Sequence, residues 1–248
     1  MTGLLRSEWT KIYSVRSTVW ALLTAVVVML GLGAIISGAT AGLGDRAALT
    51  DPTTVSLAGA PIAAVVVASL GVLLISGEYR TGMIRTTLVA VPRRLRMLAA
   101  KTAVFAAVAF AVSLVMSFAS FFVGQALLGD KATALGAPGV LRSVAGCALY
   151  IAAGGLFGLA LGTLVRHTAG GIVAVVLLTL VLPQMTALLP GGWGATVRMY
   201  FTTNAGQQLL RPHAEAGQLD PWAGFGVYCA WIAITLLFAA VLLRRRDA

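Results

Sequence analysis

The residues able to do chemistry are few, and most of them are cations. Among 248 residues the chain carries 18 Lys and Arg, 8 Asp and Glu, 2 His and 2 Cys. Six of the cations, Arg80, Arg85, Arg93, Arg94, Arg96 and Lys101, crowd into GEYRTGMIRTTLVAVPRRLRMLAAK, residues 77–101. Such a stretch attracts anionic lipid or a partner surface but does not by itself make or break bonds. The other groups are too scattered for catalysis. His167 and His213 lie in separate polar connections, and Cys147 and Cys229 sit in apolar runs without metal-ligand spacing, which reads as small packing residues. HExxH, GxSxG and GxxxxGK[ST] are all missing, so zinc-protease, serine-hydrolase and phosphate-loop chemistry have no carrier. The chain is read as no enzyme, with no cofactor and no metal of its own.

The elements that hold these residues are apolar. The composition is 59% hydrophobic and 10% charged, with a mean hydropathy of +0.93, far from ordinary soluble domains. Six charge-free runs occupy residues 17–44, 52–77, 102–129, 143–165, 168–197 and 221–243. Each reaches the ~20 residues a helix needs to cross a ~30 Å hydrocarbon core. Runs such as IVAVVLLTLVL are continuously apolar, which excludes the alternating pattern of a membrane barrel. The prediction is an all-α polytopic membrane protein, one domain over 1–248, with spans near 18–39, 57–77, 99–128, 143–165, 169–189 and 222–243. The first span follows a basic segment and is too long for a signal peptide, so it is expected to stay uncleaved. No acidic or basic residue stands mid-span, where ion-coupled carriers keep such groups despite a cost of about 2.5–3.5 kcal/mol each.

Charge placement orients the bundle. Arg6, Lys11, Arg16, the six island cations, Arg166, Arg244, Arg245 and Arg246 fall in alternate connections, leaving Arg46, Lys131, Arg142, Arg198 and Arg211 on the other side. Thirteen against five predicts that both termini are cytoplasmic. It also accounts for the net charge of +10 without a nucleic-acid partner.

Residues 3–16 place Leu4, Leu5, Trp9, Ile12 and Tyr13 on about half a helix circumference, predicting an amphipathic helix on the membrane surface; Glu8 and Arg16 break the pattern. In the island, Thr81 is expected to cap a short helix reaching Leu88, with Ile84 one turn earlier, and Pro92 to open the next helix. Gly154, Gly158 and Gly162 recur every four residues, a stripe for close helix approach, expected within the chain rather than between subunits. Pro183 predicts a kink in the fifth span. The segment 191–222 is expected to hold short re-entrant or surface helices, with Trp193, Tyr200, Phe201 and Trp222 at the interface.

GEYRTGMIRTTLVAVPRR, Lys101, RHTAGGIVAV, TNAGQQLL and the terminal LLRRRDA resemble the permease subunit of the type-2 ABC transporters, the exporter type, in its actinobacterial form. Met83 departs from the small polar residue common after that glycine. The resemblance implies a multi-pass protein of the bacterial cytoplasmic membrane. It implies a second permease copy, same or different, and cytosolic ABC ATPase subunits that hold the ATP and Mg. It assigns the coupling helix to Glu78, Tyr79, Arg80, Thr81, Gly82, Ile84, Arg85 and Leu88, and the interface helix to the segment of Trp9, Lys11 and Ile12. The external half-helices fall on the region of Trp193, Asn204 and Gly206. The expected function is export of a hydrophobic or amphipathic substrate; the alternatives are a stand-alone carrier or channel, or a membrane scaffold.

Overall fold

The computed structural model describes residues 2–43, 51–82, 94–214 and 217–245. Among them there is helix and no strand. The helices are α1 (Thr2–Ser14), α2 (Arg16–Ala41), α3 (Pro52–Ser56), α4 (Ala60–Arg80), α5 (Arg94–Leu128), α6 (Val140–Val165), α7 (Thr168–Val176), α8 (Leu182–Met185), α9 (Gly191–Tyr200), α10 (Thr202–Gln207) and α11 (Pro221–Arg245). Among the described residues six stretches are long and apolar enough to cross a membrane: Arg16–Ala41, Pro52–Arg80, Leu95–Lys131, Val140–Val165, Thr168–Leu188 and Pro221–Leu243. The six-span, all-α prediction therefore holds. Its third boundary shifts, because α5 starts inside the basic island. Met97, Leu98, Lys101, Val104 and Phe105 recur at helical spacing on a buried face, so the packing stripe carries the helix well before the charges end.

The hub is α6, whose apolar window is 83% buried, against 17% for α2 and 22% for α11. Its glycines explain this. A Cβ on Gly158 would fall on the Ala68 carbonyl of α4, and one on Gly162 would approach Val72 Cα to 2.9 Å. At Gly154 the nearest atoms would be the Tyr228 hydroxyl and Ala64 Cβ. The stripe is thus an intrachain seam that brings the α4 and α6 backbones together.

At the end of the bundle opposite the basic island, α3 is capped by Asp51 and held onto α5 by hydrogen bonds from uncharged side chains. Asp51 caps α3 by accepting from Thr54 N at 2.8 Å, Ser120 Oγ donates to the Ser56 carbonyl at 2.7 Å, and Gln125 Nε2 donates to the Pro52 carbonyl at 3.1 Å. Lys131 Nζ donates to Ala41 O at 3.2 Å, placing a cation at the carbonyl end of α2 where the helix dipole favours one.

The fifth span breaks where the proline predicts. Residues Leu177–Val181 widen into a π turn, with Leu182 N donating to Leu177 O. Pro183 has no N–H, so this turn lacks one in-helix donor. Thr202 Oγ1 donates to Leu178 O and Thr203 Oγ1 to Thr179 O, each at 2.9 Å. The break and the start of α10 are one construction.

Candidate functional site

The site forms where α1, the end of α4 and the start of α5 meet at the basic end. The helical turn spacing of α1 puts Glu8 and Ile12 on one side, and both are buried. Leu5, Trp9 and Tyr13 project outward, Trp9 being 56% exposed. The packed side of α1 is thus Glu8 and Ile12, and the aromatic side is free to meet a membrane interface. Glu8, the residue that broke the pattern, is the one held most deeply.

Glu8 reaches two cations. Its Oε1 accepts from Lys11 Nζ at 2.8 Å and its Oε2 from Lys101 Nζ at 2.6 Å. Both ammonium groups also donate to Glu78 Oε1, each at 2.9 Å. Glu8, Glu78 and Lys101 are all buried, and Lys11 is the half-exposed member. The cluster spans residues 8 to 101 and is charge-balanced, the condition under which buried ions are tolerated. Burial by itself would raise the Glu8 pKa, but the charges and hydrogen bonds of Lys101 and Lys11 outweigh it and hold the carboxyl below its ordinary value. For Lys11 burial acts to lower the pKa, and the hydrogen bonds to Glu8 and Glu78 prevail, so it lies above its ordinary value.

The residues assigned to coupling divide. Glu78 faces into the chain, so it is not an outward polar contact. Tyr79 lies under the Arg166 guanidinium, 5.1 Å from ring centroid to Cζ, a cation–π contact. Arg80, Thr81 and Gly82 are exposed. Thr81 is the C-cap of α4, its hydroxyl donating back to Gly77 O at 2.9 Å; the short helix expected from it to Leu88 lies outside the described residues. Ile84, Arg85 and Leu88 lie outside the described residues. Thr168 Oγ1 donates to Ser76 Oγ at 2.9 Å, tying the start of the fifth span to the same end of α4.

At the opposite end Asn204 Nδ2 donates to the carbonyls of Arg198 at 3.2 Å and Pro183 at 3.3 Å. Gly206 packs so closely that a Cβ would stand 2.7 Å from the Tyr228 ring. Trp193 is exposed. These three residues do not meet the ion cluster and belong to the α9–α10 construction.

No family model and no curated protein sequence matches the chain. Among the described residues no group of three His, Cys, Asp or Glu is arranged to hold a metal. What the geometry offers is a mechanical joint. The end of α4 is tied to α1 and α5, because Lys101 of α5 bonds carboxylates on both α1 and α4, and Lys11 of α1 bonds Glu8 and Glu78.

Proposed function

We propose that the chain is the membrane-spanning subunit of an ATP-driven exporter, paired with a second permease copy and driven by separate ATPase subunits. The observation that carries this reading is the ion-clamped joint beside an exposed tip. Arg80, Thr81 and Gly82 present themselves at the end of α4, and the buried cluster behind them links that helix to α1 and α5. A force applied to the tip is passed to three elements at once, two of which continue into membrane spans. That is what a subunit without its own ATP-binding loop needs if a cytosolic partner is to move it. The resemblance of residues 77–94 to the coupling segment of exporter permeases points the same way, and the apolar spans suit a hydrophobic or amphipathic cargo in the bacterial cytoplasmic membrane.

The test is affinity purification of the tagged full chain from its native membrane in mild detergent, with mass spectrometry and ATPase assay of the eluate. The expected result is a stoichiometric soluble chain bearing a phosphate-binding glycine loop, lost in Arg80→Glu while the six-helix fold persists. Recovery of the chain alone, under conditions that keep a known transporter complex intact, would overturn the reading.

A further inference from the structure

In the outer half of the bundle two polar side chains meet at a depth where the sequence leads one to expect none. Tyr200 O accepts from Trp231 Nε1 at 3.0 Å, and Trp231 lies about 15 Å along α11 from its outer end at Pro221. So α9 dips into the bundle. Phe201 is extended backbone, φ −77° and ψ 132°, and the chain then climbs back past Tyr228, which packs on Gly206. It surfaces at Arg211, whose carbonyl accepts from Arg142 Nη2 near the start of α6 at 3.0 Å. Asn204 sits inside this re-entrant hairpin, and its one amide nitrogen reaches both Arg198 O and Pro183 O. The backbones at Arg198 and at Pro183–Gln184 are therefore neighbours, and the side chains of Arg198 and Gln184 are both exposed. Among the described residues no ion pair reaches Arg198, and no hydrogen bond engages the Gln184 amide.

Three surroundings can meet such a face. Lipid is the worst, because a guanidinium and an amide turned to hydrocarbon give up water and gain no partner. Extended backbone at membrane depth is likewise tolerated only inside protein or along a water-filled space. A second copy related by a two-fold axis would bring its own Arg198 to the same interface, setting like charges together in a low dielectric. Water satisfies both groups. We propose that the face carrying Gln184 and Arg198 lines a water-filled vestibule open to the outer side, where Arg198 draws in the anionic group of an amphiphile. That amphiphile is a cargo only on the exporter reading; the vestibule and its preference for anions do not rest on it.

The probes are two thiol-specific methanethiosulfonates that do not cross a bilayer, one carrying a sulfonate and one a trimethylammonium. They are added to sealed right-side-out membrane vesicles holding the full chain. The background is Cys229→Ala, which removes the exposed cysteine and leaves the buried Cys147. Gln184→Cys reports on the proposed face. Val115→Cys, at a position 72% exposed on α5 and midway between Lys101 and Lys131, reports on lipid at mid-bilayer. The expected result is modification of Gln184→Cys at least about tenfold faster than Val115→Cys, since the reacting thiolate needs water, with the sulfonate reagent ahead. Adding Arg198→Gln should move the ratio of the two rates about tenfold toward the cation. The ratio cancels any change in the thiol itself, and the bond to Asn204 survives because it uses the Arg198 carbonyl. Modification of Gln184→Cys no faster than Val115→Cys overturns the vestibule, as does its cross-linking to a second copy on oxidation while both reagents fail. An unchanged ratio in Arg198→Gln overturns the anion preference. The Gln184→Cys comparison stands whether or not the double variant folds, and because no ATPase takes part, its failure leaves the partner purification untouched.

Discussion

The two ends of the bundle solve one problem with different chemistry. Both hold polar groups at the margin of an apolar interior, where an unpaired group is expensive. At the basic end the solution is ionic: Glu8, Lys11, Glu78 and Lys101 bring together residues up to 93 positions apart. At the opposite end the break in the fifth span is closed by neutral groups: Thr202 and Thr203 donate to the carbonyls of Leu178 and Thr179 beside Pro183, and Asn204 binds carbonyls on either side. A neutral joint has one setting at every pH. An ionic joint depends on protonation and on its buried members, which makes it the more sensitive of the two and the better place to transmit a force.

The largest difference should come from removing one buried ion. Lys101→Met leaves Glu8 Oε2 without its donor and an uncompensated negative charge in a buried site. The expected loss is about 3–5 kcal/mol, seen as a lower thermal unfolding midpoint in detergent. Adding Glu8→Gln should recover part of it, because the excess charge goes. If the single variant unfolds at the wild-type temperature, the cluster is not holding the basic end together.

The neutral joint should yield less. Thr203→Val removes the only hydroxyl shown donating to Thr179 O, at an expected ~1–3 kcal/mol for a buried acceptor left unmet. Pro183→Ala in the same chain returns an N–H to the helix and should restore part of the loss. Absence of rescue would mean that the proline is not the reason the threonine is needed.

Acid separates the ends without mutation. The folded-state pKa of Glu8 is below its ordinary 4.5, so its contribution is present above that value and is lost as pH falls through the lower folded one. Lys11 lies above its ordinary 10.5, so its contribution is full below that value and is lost as pH rises through the higher one. Hydrogen exchange, corrected for intrinsic rates, should therefore accelerate in α1 as pH falls below the ordinary glutamate value while residues 202–210 keep their protection. Equal loosening of both regions would assign the acid response to something other than the cluster.

How much of this the sequence disclosed follows the same division. Spans are written locally, in runs without charge, and so is the π-widened break, since Pro183 announces a missing donor. The glycine stripe named its own role, although not that Ala68 and Val72 would be its partners. The ionic joint was the hard part. Glu8 looked like a flaw in an amphipathic pattern and Glu78 like an outward contact, because periodicity describes one element at a time and this pairing crosses three. A usable signal was present: Glu8 on an apolar face and Lys101 at the mouth of an apolar run are two opposite charges in positions where neither is tolerated alone. Ile84, Arg85 and Leu88 were assigned by resemblance, and the residues the structure describes do not include them.

The smallest predicted effect sharpens the comparison inside the ionic end. Lys11 contacts the same two carboxylates as Lys101 at nearly the same distances, so distance to those carboxylates would rank them equal. Burial separates them: the Lys11 side chain is 30% exposed and that of Lys101 is 4%. Water partly solvates the first ammonium and screens its pairs, and both carboxylates keep Lys101 when it is removed. Lys11→Ala should therefore cost no more than ~1 kcal/mol, the range of exposed pairs, several times less than Lys101→Met in the same thermal assay. Equal costs would mean that the number of contacts, and not the dielectric around them, sets the strength of the joint.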